Sequence, residues 1–236
     1  MPSFVEIDSR FNGPLDSGNG GYCCGVLANL LDGPVEASLR SAVPLDTPLA
    51  VGSEGDGSLR AVDGETLVAE ARPAPGFEID VPEPVSVEDA RLATAGYRGL
   101  TSGPFCRCFV CGRSREDGFD VFAGPVDGRS VVASPWTPPA WAADAGGNVR
   151  PEVVWAVLDC PTYFATYIDV DGELPLAVLA RQTAHVDGPV RAGEDYVAIG
   201  WPIAVDGRKR HAGSAILSAS GEILAAARAL LVEPRS

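Results

Sequence analysis

Residues Gly20–Leu31 read GGYCCGVLANLL, and residues Pro151–Thr166 read PEVVWAVLDCPTYFAT. Both are apolar almost all round, the pattern of a helix buried on every side. Gly33-Pro34 stops the first, and Pro151 opens the second at a first-turn position where no N–H is needed. Inside the second, Pro161 has no N–H for the preceding turn and is expected to kink or end the helix. The residues around each helix read as strands. After the first, Val35–Val43 is a strand, and Leu59–Val62 and Thr66–Ala71 flank the hairpin signal Asp63-Gly64. After the second, Leu176–His185 is a strand, and Tyr196–Val205 and Arg208–Leu217 flank Asp206-Gly207. Ser220-Gly221 then turns into Ile223–Val232, and a leading pair, Asp120–Phe122 and Ser130–Ser134, flanks Asp127-Gly128.

The two sets of elements are related. PVEASLRSAVPLDTPL, from Pro34, aligns without gaps on PLAVLARQTAHVDGPV, from Pro175. Pro34 meets Pro175, Arg40 meets Arg181, Asp46 meets Asp187 and Pro48 meets Pro189, each pair 141 residues apart. Further on, Gly64-Glu65-Thr66-Leu67-Val68-Ala69 resembles Gly221-Glu222-Ile223-Leu224-Ala225-Ala226, 157 apart. Collinear matches with a growing offset indicate a duplication whose second copy has longer loops. Between the copies, Pro73 to Pro104 carries PAPG and VPEPV and reads as a linker, with a short helix over Val87–Ala95. The expected division is residues 1–73, a linker over 74–104, and residues 105–236. Each half is an apolar helix against an antiparallel meander, which is an α+β layer.

A chain of 236 residues buries a core without metals or disulfides. No apolar run reaches the ~18 residues of a membrane span. The opening MPSFVEIDSR lacks a basic region followed by an apolar one, so no secretion signal is expected. With 32 acids against 18 bases the net charge is −14, which argues against nucleic acid and anionic membranes as partners. Lys209 is the one lysine, which with the abundance of Ala, Gly and Pro is the composition expected of a GC-rich bacterial genome. The six cysteines are expected to be reduced thiols in a cytoplasm. Cys106, Cys108 and Cys111 form C-x-C-x-x-C, part of a zinc-site pattern. No second CxxC or paired His follows, leaving Cys160 or His185 as the fourth ligand, and the expectation is free thiols and no metal.

This layout resembles the hotdog fold, in which a curved antiparallel sheet wraps one helix; two copies in one chain make a double hotdog. CFVCGRSREDGF, at Cys108–Phe119, is similar to the Cys-Phe-x-Cys-Gly lead-in of many hotdog thioesterases. FNGPLDSGNGG, at Phe11–Gly21, resembles the segment of phenylacetate-pathway thioesterases in which an Asn precedes His-Gly-Gly at the helix start. Asn12 matches the first Asn, and Asn19-Gly20-Gly21 matches His-Gly-Gly with Asn in place of His. Those enzymes carry an acid seven positions after the second Gly. In the first copy that position is Ala28; in the second, Pro151-Glu152 replace the glycines and the position holds Asp159. The resemblance implies one composite site, with the Gly-Gly helix start from one half and the carboxylate from the other.

The chemistry stands beside the resemblance. A helix start presents unpaired amides and partial positive charge, suited to the oxygen of a thioester carbonyl as it gains charge. Glycines there let a carbonyl come close. Asp159, among apolar neighbours, is expected to titrate high and to activate water or attack directly. Asn12 and Asn19 would hold the water or the carbonyl. Arg208-Lys209-Arg210 is the densest basic cluster, and Arg208 and Arg210 share a strand face suited to coenzyme A phosphates. Structural readings exist for each: Gly20-Gly21 as a tight turn, Asn19 as an N-cap, Asp159 satisfied by Thr162, the Arg cluster as a solvated strand. His185 and His211 read as structural.

The expected activity is acyl-CoA thioester hydrolysis without cofactor or metal, in a cytoplasmic protein, with a homodimer of double hotdogs as an allowed assembly. The alternative is a non-catalytic protein that binds acyl-CoA or an acyl chain in the same pocket. A hotdog hydratase or dehydratase would pair its Asp with a nearby His, and none follows Asp159 closely. A second type of double-hotdog thioesterase needs a Gln on its last strand, and Ile223–Val232 has none.

Overall fold

The computed structural model describes residues 3–99 and 103–235; residues 100–102 of the expected linker lie outside this set. Among the described residues, eleven strands form one antiparallel sheet. They are β1 (Ser3–Val5), β2 (Val35–Leu39), β3 (Leu49–Ser53), β4 (Leu59–Asp63), β5 (Thr66–Pro73), β6 (Gly124–Pro125), β7 (Val132–Trp136), β8 (Val178–Val186), β9 (Tyr196–Asp206), β10 (Lys209–Ser218) and β11 (Ile223–Val232). Three α-helices accompany them: α1 (Gly20–Ala28), α2 (Val87–Ala93) and α3 (Pro151–Thr166). Among the described residues no helix is long and apolar enough to cross a membrane.

The strand order is β1-β3-β4-β5-β2-β8-β11-β10-β9-β7-β6. From the outer strands inward, the first half runs β1-β3-β4-β5-β2 and the second runs β7-β9-β10-β11-β8, with β6 added at the edge. The two orders correspond strand for strand. The halves meet at β2 and β8, antiparallel, with Val35 opposite Ala184 and Ser38 opposite Arg181. Arg181 Nε donates to Ser38 Oγ at 3.1 Å across that seam.

The hairpin signals form turns as read. Gly64 and Gly207 take φ of +58° and +56°, the left-handed region that the Asp-Gly turns require. The helix α1 ends at Ala28, before Leu31. Leu30 and Leu31 donate back only three residues, to Leu27 and Ala28, and Leu30 points to solvent. Pro161 does not end α3, which continues to Thr166. The helix is buried along its length, and β9 packs so close that a Cβ on Gly200 would meet the Pro161 carbonyl oxygen at 2.6 Å. Packing on that scale outweighs the one missing helix hydrogen bond.

Three strand readings need correction. The short strands β1 and β3 were not foreseen, since neither SFV nor LAVGS gives a long alternation. Asp120–Phe122 is not a strand. Asp120 sits at φ +54°, and Phe119 and Val121 donate to the carbonyls of Phe109 and Val110, so this segment braces the cysteine loop. The expected linker helix forms as α2, followed by a 3-10 turn at Thr94–Gly96. It lies on the outer face of the second half, where Ala90 and Ala93 pack with Val197, Ile199, Trp201 and Leu217.

Candidate active site

The site is assembled where α1 meets α3. At the start of α1, Asn19 is the N-cap, and its Oδ1 accepts the Tyr22 N–H at 2.9 Å. Helix α3 runs antiparallel against α1. A Cβ on Gly21 would lie 2.5 Å from the Trp155 carbonyl oxygen and 2.6 Å from Asp159 Cβ. One turn on, a Cβ on Gly25 would lie 2.7 Å from Glu152 Cα. These glycines therefore serve first to bring two helix backbones into contact, a role the sequence did not suggest.

That contact places the acid. Asp159 is 8% exposed, and its Oδ2 accepts the Gly21 N–H at 2.9 Å. Burial pushes its carboxyl up to about 7; the Gly21 hydrogen bond opposes this, and the Cys108 sulphur adds to it. Thr162 does not satisfy the carboxylate, because its hydroxyl donates to the backbone carbonyl of Asp159 instead. Among the first three amides of α1, Gly21 is taken by Asp159 and Tyr22 by Asn19, while Gly20 has no hydrogen-bond partner among the described residues. Asp159 and Gly21 are thus in direct contact, and the open approach lies on the Gly20 side.

A cavity of about 470 Å³ opens there, walled by Asn19, Gly20, Asp159, Tyr163, Phe164 and Leu179 among others. This is the size and apolar character of a small-molecule pocket. Four thiols share the wall, Cys106, Cys108, Cys111 and Cys160, and the sulphurs of the last three lie within 4.8 Å of one another. S–H donation from Cys111 and Cys160 holds Cys108 well below the ordinary thiol range and leaves its two neighbours well above it. Two guanidinium groups border the cavity, Arg40 and Arg98. Arg98 is clamped on the carbonyls of Tyr167, Val170 and Gly172, and Arg40 is paired with Glu70 at 2.6 Å on the exposed side.

The other sequence candidates fall elsewhere. Asn12 is buried behind the wall. Its Nδ2 donates to the carbonyls of Pro14 at 3.0 Å and Arg107 at 3.2 Å, and its Oδ1 accepts from Arg115. It ties the approach to α1 onto the cysteine loop. Arg208 donates to the Glu233 carbonyl, and Arg210 pairs with the Glu233 carboxylate at 2.7 Å and lies over the Tyr167 ring. Neither lines the cavity. His185 pairs with Asp187 at 2.9 Å, away from the cavity. Of the cysteine pattern, Cys106 lies outside the thiol cluster, and Cys160 takes the third place. Sequence reasoning did not identify Tyr163 or Leu179, and it named Cys160 only beside His185 as a fourth partner for the cysteine pattern, since no spacing rule links α3 to the cysteine loop.

No family model matches the chain, and no curated protein matches its sequence. Solved structures do match. A hot dog fold protein of unknown function from Alicyclobacillus acidocaldarius superposes with a TM-score of 0.64 at 9% identity, over 100% of this chain and 96% of its own. The acyl-CoA thioesterase II TesB2 of Mycobacterium marinum gives 0.60 at 12% identity, over 93% and 90%. A TesB protein of Mycobacterium avium subspecies paratuberculosis gives 0.59 at 13%, over 98% and 92%. The whole chain therefore shares the fold of a hot dog protein and of proteins named TesB and acyl-CoA thioesterase II.

Proposed function

We propose that this chain is a double hotdog, with halves at residues 1–73 and 105–236 joined through 74–104, that hydrolyses acyl thioesters of the coenzyme A type at one composite site. One observation carries the reading: the buried Asp159 carboxylate is held at 2.9 Å by the Gly21 N–H and stands beside the unpaired Gly20 N–H on the wall of an apolar cavity. Asp159 comes from one half and the amides from the other, as the Asn12 and Asn19-Gly20-Gly21 resemblance to phenylacetate-type thioesterases implies.

In this reading the acyl chain lies along Tyr163, Phe164 and Leu179. The thioester oxygen meets the Gly20 N–H, where the helix dipole and amide stabilise the negative charge that develops. Asp159 takes a proton from water as the water oxygen bonds to the carbonyl carbon. The tetrahedral intermediate then collapses, the C–S bond breaks, and the thiolate leaves. Asn19 fixes the helix start, and Asn12 holds the loop that precedes it. Arg40 and Arg98 line the cavity, which Arg208 and Arg210 do not, and are therefore the better placed pair for a phosphate-bearing carrier.

The test is free-thiol release across a panel of aliphatic and aromatic acyl-CoA thioesters, with Asp159→Asn alongside. Turnover that depends on Asp159 supports hydrolysis. Measurable acyl-CoA binding with no turnover on any thioester selects the alternative, a non-catalytic acyl-CoA or acyl-chain binding protein. That alternative is favoured by one feature, the Gly21 amide already being occupied by Asp159.

A further inference from the structure

The hydrolytic reading leaves four thiols in the cavity wall without a task, and three of them, Cys108, Cys111 and Cys160, form a cluster. Cys108 and Cys111 lie on the loop before β6, and Cys160 lies within α3. The Cys108 and Cys160 sulphurs are 3.9 Å apart, and all three lie within 4.8 Å of one another. A tetrahedral Zn²⁺ with Zn–S bonds of ~2.3 Å sets its sulphurs about 3.8 Å apart. The protein thus holds three thiols close to the span that a metal ion requires.

The surroundings fit thiolates better than inert thiols. The Asn19 amide Nδ2 points at both Cys108 Sγ, 3.7 Å, and Cys160 Sγ, 3.9 Å. The C-F-V-C-G turn that carries Cys108 and Cys111 is tight: the Gly112 N–H donates to the Cys108 carbonyl at 2.8 Å, and a Cβ on Gly112 would lie 2.5 Å from the Cys108 nitrogen. The Tyr97 hydroxyl anchors the same turn on the Cys111 carbonyl. N–H donors around sulphur are the outer support that metal thiolates use, whereas a thiol packed only for volume needs none.

We propose that Cys108, Cys111 and Cys160 bind a thiophilic divalent cation, Zn²⁺, through their three sulphurs, with the fourth position turned toward the cavity. Each thiol releases its proton to solvent on binding. This site is new relative to the C-x-C-x-x-C reading, since Cys106 is replaced by a ligand from α3.

The test uses the full chain, reduced and loaded with Zn²⁺ alone under anaerobic conditions, then desalted. It reads metal content and not turnover, so its outcome is independent of whether the protein hydrolyses thioesters. The expected result is about one zinc per chain, with X-ray absorption showing three sulphurs at ~2.3 Å. Cys160→Ser should weaken zinc binding by more than ~100-fold, beyond what outer-support losses alone produce, while Cys106→Ser retains it. If Cys160→Ser does not fold, the absorption spectrum of the unaltered protein decides. Folded, reduced protein that retains no zinc, a zinc shell without three sulphurs, or equal loss of zinc in Cys106→Ser would overturn the proposal.

Discussion

The two ends of the α1–α3 pair are equivalent in layout and opposite in chemistry. At one end Asp159 of α3 meets Gly21 of α1, beside the 470 Å³ cavity. At the other end Ala28 of α1 lies near Pro151 and Trp155 of α3, beside a cavity of about 300 Å³. Ala28 holds the place in α1 that Asp159 holds in α3, and Pro151-Glu152 hold the place of Gly20-Gly21. The second end has neither a buried acid nor a glycine-glycine helix start. Pro151 has no N–H to offer, and Glu152 accepts from Asn29 at 2.7 Å. The two ends thus differ in that one holds a buried acid against a helix-start amide and the other has a proline and an apolar residue in those places.

The largest effect separating the ends is expected from Asp159→Asn. The side chain is nearly isosteric, so the fold should persist, while thioester turnover falls by ~10²–10⁴ if the acid is the general base. Full-rate hydrolysis by this variant would break the comparison at its centre.

The glycine contact comes next. Gly21→Ala drives a methyl into the Trp155 carbonyl and Asp159 Cβ, and neither is the end of a flexible side chain. Urea unfolding should show a loss of ~1–3 kcal/mol. Gly52→Ala, with nothing within 4 Å of the new Cβ, should stay within about 0.5 kcal/mol of the unaltered protein. Equal stabilities for the two variants would mean that the helix approach is not set by glycine.

Ala28→Asp tests the silent end directly. Ala28 is 6% exposed, so an acid there should cost ~1–3 kcal/mol. It should add no turnover, because Pro151, in the place of Gly20, has no N–H to offer a thioester oxygen. A gain in thioester hydrolysis would show the two ends to be interchangeable.

The smallest effect is expected from the cap. Asn19→Ala removes the acceptor for the Tyr22 N–H and should cost ~1 kcal/mol, a fall of roughly 2–4 °C in Tm for a chain of this size. No change in Tm would remove Asn19 from the account of how α1 begins.

Local pattern carried the reading of the helices and most of the hairpins. Pro151–Thr166 and Ile223–Val232 appear with the bounds expected of them, since the turn residues that bracket each run fix where the element can begin and end. The asymmetry between Asp159 and Ala28 was also legible, because the resemblance to phenylacetate-type thioesterases implies an acid seven positions after the second Gly, and that place can be counted from each helix start. The distant contacts were not. Pro161 breaks a local rule, and α3 continues because burial on every side stabilises it, which no propensity records. Asp120–Phe122 has strand composition, yet it pairs with the cysteine loop because that loop folds back beside it.

The sequence alone determined two apolar helices, the hairpins that follow each of them, and a carboxylate, Asp159, in the middle of the second helix. These follow from periodicity and turn chemistry, which act over a few residues. Only the tertiary structure decided that Gly21 and Gly25 bring the helix backbones together, that the Gly21 amide holds Asp159, and that Cys160 rather than Cys106 joins Cys108 and Cys111. The reason is that these arrangements depend on the separation of α1, α3 and the cysteine loop, which is fixed by close packing between segments remote in sequence and not by the local chain.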